Sequence, residues 1–93
     1  MIEISKETQK KIMHTVKRIG TLLIDKNIQY GDSVMDPIAI FAQGNPQDLV
    51  RVRIDDKLSR LKRGNDSIES DIDIVDDLIG YLVLLRIMMG EEK

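Results

Sequence analysis

Apolar residues recur along this chain with a helical period in three stretches, separated by turn-rich sequence. Ile12, Val16, Ile19 and Leu23 follow at spacings of four, three and four residues, the repeat of one helix face. Ser5 is placed to cap this stretch and Glu7 sits in its first turn, which predicts a first helix over roughly residues 6–25. Residues 26–45 then carry Tyr30-Gly31-Asp32-Ser33, Asp36-Pro37 and Gly44-Asn45-Pro46, turn signals too dense for one continuous helix. A short helical turn over 37–43 is expected within this segment.

Asn45 followed by Pro46 is a strong helix start, and Gly64 is a stop, so a second helix is expected from Pro46 to Arg63 with the stripe Val50, Ile54, Leu58, Leu61. The third helix begins near Ser67 or Ser70 and ends at Gly90, with Ile72, Val75, Ile79, Leu82 and Leu85 among its apolar positions. Its second half is apolar nearly all round, more than a three-helix monomer can cover. A homodimer or tetramer closed through that helix, with Met88 and Met89 contributing, is therefore expected. Without strand patterning the fold class reads as all-α, one domain over residues 1–93, with helices two and three as an antiparallel hairpin.

Composition narrows the chemistry. Of 93 residues, 42% are hydrophobic and 32% charged, enough for a packed fold but only a small core. Zero cysteines exclude disulfides and thiolate metal sites, and a single histidine, His14, makes an imidazole zinc site untenable. His14 reads as a surface or interface residue. Any metal must sit on carboxylates, which suits Mg²⁺ or Mn²⁺. A net charge of −2 argues against general nucleic-acid binding, and one Phe, two Tyr and no Trp leave little for base-stacking platforms. The opening sequence MIEISKETQKK lacks a signal-peptide core and no apolar run is long enough for a bilayer, so a cytoplasmic protein is expected.

Charge is segregated. From Arg51 to Arg63 six bases face Asp55 and Asp56, a local net charge of +4, whereas Asp66, Glu69, Asp71, Asp73, Asp76 and Asp77 follow with no base among them. Arg53, Asp56, Lys57 and Arg60 share one helix face, as do Asp73, Asp76, Asp77 and Gly80. Carboxylates so placed repel one another and require a cation or a basic partner. Two readings stay open: a solvated charge network between helices two and three, or a composite site.

The blocks Lys26-Asn-Ile-Gln-Tyr-Gly-Asp-Ser33, Arg53-Ile-Asp-Asp-Lys-Leu-Ser-Arg-Leu61 and Asp73-Ile-Val-Asp-Asp-Leu-Ile-Gly-Tyr81 resemble the three signature blocks of a small phage and prophage family, nucleotide modification associated domain 1. More distantly they are similar to the MazG-like all-α nucleoside triphosphate pyrophosphohydrolases, in which two paired carboxylate motifs hold Mg²⁺. Asp73 with Asp76 or Asp77 stands in for the second of those motifs. The first departs from the family: where it has three glutamates, this chain has Asp55 and Asp56, then Lys57 and Arg60.

The resemblance implies a MazG-like, phage-type nucleotide-binding protein of the host cytosol, acting as a pyrophosphohydrolase on a modified nucleoside triphosphate if its carboxylates hold Mg²⁺. In that reading Asp56, Asp73 and Asp77 are the metal ligands, with Asp76 as a further candidate, and Arg53, Lys57 and Arg60 clamp phosphate. Tyr30 offers a ring to a base, Gly31 close backbone approach and Asp32 an acceptor for base or sugar, although a plain turn explains the same three residues. Two other readings are an anti-defence sponge that sequesters a cyclic-nucleotide or related signal without catalysis, and a structural interaction domain. Metal dependence separates the first two, and nucleotide binding separates both from the third.

Overall fold

The computed structural model describes residues 6–35, 44–64 and 70–90. Three helices make up the described fold, with no strand among these residues: α1 (Lys6–Tyr30), α2 (Pro46–Arg63) and α3 (Asp71–Met88). The helical turn expected over 37–43, and Ser5 and Ser67 as caps, lie outside the described residues.

Local chemistry accounts for the helix ends. The Asn45 side chain accepts from the Asp48 N–H at 2.9 Å, Pro46 takes the first helical position, and Gly64 closes α2 in the left-handed region at φ 72° with its N–H on the Arg60 carbonyl. Ser70 caps α3 in the same way, accepting from the Asp73 N–H at 3.1 Å. α1 runs five residues beyond the expected stop at Asp25. It ends in a Schellman motif, in which Gly31 N–H bonds the Ile28 carbonyl and Asp32 N–H bonds the Asn27 carbonyl, with φ near 61° at both Gly31 and Asp32. Tyr30 is thus the last helical residue of α1 rather than part of a loop.

α2 and α3 pack closely and run antiparallel: Gln47 at the start of α2 donates to the Met88 carbonyl at the end of α3, while Lys57 and Asp77 meet midway. α1 meets α3 over a shorter stretch, where Arg18 reaches Asp76 and Leu23 lies against Gly80. A Cβ on Gly80 would stand 3.3 Å from Leu23 Cδ1, so the absent side chain is what lets α1 approach. Among the described residues, Ile19, Val50, Ile74 and Leu78 are the buried apolar ones, each removing about 1.5–3 kcal/mol worth of apolar surface from water.

The stripe of α2 differs from its expected phase, and the inward face of α3, which the sequence leaves open, is set by packing. On α2 the inward line runs Val50, Ile54, Lys57, Leu61, with Leu58 turned outward. On α3 the inward residues are Ile74 and Leu78, whereas Ile72, Val75 and Leu82 are exposed. α3 is apolar on most sides, so its periodicity carries almost no phase, and the packing surface of α2 selects the face.

Candidate functional site

Each helix carries one ionisable residue in the line that its apolar stripe occupies. Lys26 stands three residues after Leu23 on α1, Lys57 three after Ile54 on α2, and Asp77 three after Ile74 on α3. They meet. Lys26 Nζ lies 3.0 Å from Asp77 Oδ1 and Lys57 Nζ 3.0 Å from Asp77 Oδ2, so one carboxylate is held from two helices at once. Burial pushes the Asp77 carboxyl up, but the hydrogen bonds from Lys57 and Lys26, with their charges, outweigh it and hold the group below its ordinary value. Next to it, Arg18 grips Asp76 as a fork, Nη1 to Oδ2 at 3.1 Å and Nη2 to Oδ1 at 3.2 Å.

Beside this network a cavity of about 440 Å³ opens between the end of α1, the turn that follows it, α2 and α3. Its apolar side is made by Ile19, Leu22, Leu23, Gly80 and Leu84. Its polar side carries Lys26, Asn27, Asp32, Arg53, Asp76 and Asp77, and the chain's two tyrosines, Tyr30 and Tyr81, both line it. The Schellman turn places Asp32 here: its carboxylate accepts from Asn27 Nδ2 at 2.8 Å, which steadies a non-glycine residue in the left-handed region.

Of the residues singled out from the sequence, the fold brings Tyr30, Asp32, Arg53, Asp76 and Asp77 to this one cavity. Gly31 adjoins it as the turn residue. Lys57 stands behind it, with a side chain only 12% exposed and engaged with Asp77. Arg60 pairs with Asp56 one turn earlier on α2, at 3.1 Å on an exposed surface, where such pairs contribute little. Asp73 stands exposed in the first turn of α3. The face shared by Arg53, Asp56, Lys57 and Arg60 covers about 100° of arc. Its Lys57 edge therefore turns inward while its Asp56 edge turns to water.

Asp56, Asp73 and Asp77 are not gathered together, and no group of three or more acidic or imidazole side chains able to share an ion occurs among the described residues. The carboxylates nearest the cavity are instead matched to Lys26, Lys57 and Arg18.

Lys26, Asn27 and Tyr81 escaped the sequence reading as site residues. Their signal was present: Lys26 and Tyr30 prolong the α1 stripe at three and seven residues beyond Leu23, and Tyr81 follows Asp77 by one helical turn. No helix among the described residues is long and apolar enough to cross a membrane. No family model, curated protein or solved structure matches this chain.

Proposed function

We propose that this chain binds a nucleotide or nucleotide-derived ligand in the cavity between α1, α2 and α3, and that it acts by binding rather than by hydrolysis. The observation that carries the reading is the joint presence of both tyrosines, Arg53 and Lys26 around one cavity of about 440 Å³. That volume falls in the range of roughly 300–1,000 Å³ common for small-molecule sites, apolar on one side with a few convergent polar groups. Tyr30 at the rim presents a ring for a base, Asn27 and Asp32 present amide and carboxylate groups to base edges or sugar hydroxyls, and Arg53 and Lys26 present cations to phosphate.

Binding without catalysis is favoured by the ion pairing of Asp76 and Asp77. Carboxylates already matched to arginine and lysine have less to offer a divalent ion than the free acids of a pyrophosphohydrolase. Sequestration of a nucleotide signal, the role of a phage sponge, is the use of such a site that this reading favours.

A thermal-shift screen of mononucleotides, cyclic dinucleotides and inorganic phosphate, with and without Mg²⁺, tests the proposal. A ligand at a hundred times its Kd adds about 2.7 kcal/mol to stability. A metal-independent shift that falls on Arg53→Ala, with the melting temperature of the free variant unchanged, is the expected outcome. Absence of any shift overturns nucleotide binding, and a strictly Mg²⁺-dependent shift with pyrophosphate release returns the chain to the hydrolase reading.

A further inference from the structure

The charges around the cavity between α1, α2 and α3 select among phosphate chemistries. Two cations line it, Lys26 and Arg53. Lys26 is engaged by Asp77 at 3.0 Å, with Lys57 on the other oxygen of the same carboxylate, and Asp76 is gripped by Arg18. Arg53, one turn before Lys57 on α2, is exposed and forms no ion pair among the described residues. It is the cation left for a ligand.

The acids of the cavity set the upper limit. Asp32 lines it with Asp76 and Asp77, and its carboxylate bonds the Asn27 amide at 2.8 Å rather than a base. Taken together, Arg18, Lys26, Arg53 and Lys57 exceed Asp32, Asp76 and Asp77 by one charge. The sequence that follows the turn, residues 36–43, has Asp36 and no base.

We propose that the ligand of this site is a phosphodiester, one phosphate esterified on both sides with a single negative charge, and that phosphomonoesters and polyphosphates are disfavoured; this rests on the nucleotide reading given above. A monoester carries about −1.5 to −2 at neutral pH, and a triphosphate more. Each charge beyond the first meets three carboxylates with no cation to offset it, which is the repulsive element that specificity requires. The two unesterified oxygens of a diester match the planar fork of one guanidinium, here Arg53. Its organic groups, one on either side of the phosphate, have Tyr30 of α1 and Tyr81 of α3 as ring surfaces in the same cavity. Cyclic mononucleotides and dinucleoside monophosphates share this chemistry.

Calorimetric titration of the full chain without Mg²⁺ tests the proposal, using cyclic mononucleotides, dinucleoside monophosphates, mononucleotides and nucleoside triphosphates of the four common bases. The expected result is a diester bound about tenfold or more tighter than the triphosphate of the same base, the stronger of the two diester arms identifying the source. Asp32→Asn keeps an acceptor for Asn27 and a residue type that tolerates the left-handed turn, while removing one negative charge. It should narrow the gap severalfold by strengthening triphosphate binding, and added salt should narrow the gap in wild type as well. A gap that neither change moves overturns charge as its cause. A triphosphate bound as tightly as the diester overturns the proposal and leaves nucleotide binding standing, whereas no binding of any of these compounds overturns both.

Discussion

Lys57 and Asp77 meet at 3.0 Å at a point where the stripes of both α2 and α3 call for hydrophobic side chains. Lys26 completes the arrangement from α1, so the described core, small as it is, gives one of its layers to charge. The pair is only partly open to water, with 12% of the Lys57 and 22% of the Asp77 side chain exposed, so breaking it costs more than breaking a pair on the surface.

Lys57→Ala is therefore expected to lower stability by about 1–3 kcal/mol, since Asp77 keeps Lys26 but loses its more buried partner. Lys26→Ala costs less, its side chain being more open to solvent. The double variant leaves the half-buried carboxylate without either ammonium and should lose more than the two single losses together. Urea denaturation of the four proteins measures the coupling.

The acid limb of stability carries the signature of Asp77. Its folded carboxyl titrates below the ordinary value, so the unfolded chain binds the proton more readily. The stabilisation is fully present above about pH 4, where an unfolded aspartate is ionised, and is lost as pH falls through the lower folded value. Melting temperatures from pH 2 to 6 should fall more steeply in wild type than in Asp77→Asn, and equal slopes would refute this source of acid sensitivity.

Gly80→Leu should separate packing from chemistry. The new side chain meets Leu23 and intrudes on the cavity, with overpacking expected to cost about 1–3 kcal/mol. Ligand binding should fall by more than stability does, because the substitution fills the space without touching Arg53 or Lys26. Paired denaturation and titration experiments read both quantities.

Gly31→Ala is expected to cost about 1–2 kcal/mol, because a Cβ is disfavoured at its φ of 61° although nothing crowds it. Fraying of α1 should follow, seen as loss of helical signal and of hydrogen-exchange protection at the Asp32 amide.

The limits of α2 were legible because Asn45, Pro46 and Gly64 act locally, whatever the rest of the chain does. The end of α1 was not, because Lys26, Asn27 and Gln29 break the apolar pattern just where Lys26 itself turns inward to Asp77. The inward face of α3 was hidden for the opposite reason, an excess of apolar residues. For the site, Tyr30, Asp32 and Arg53 stood out by residue type, whereas the withdrawal of Lys57 behind the cavity depends on one step in helical phase between it and Leu58.

The lysine-flanked carboxylate has one more effect, on alignment along the helix axes. Leucine and isoleucine contacts tolerate sliding, since a shift of one turn, about 5.4 Å, sets one aliphatic side chain where another stood. Asp77 does not tolerate it: the same slip of α1 carries the Lys26 ammonium out of bonding distance and exchanges a 3.0 Å contact for an unmatched charge. Asp77 thus serves as an index mark between α1 and α3, the two helices whose Tyr30 and Tyr81 line the cavity.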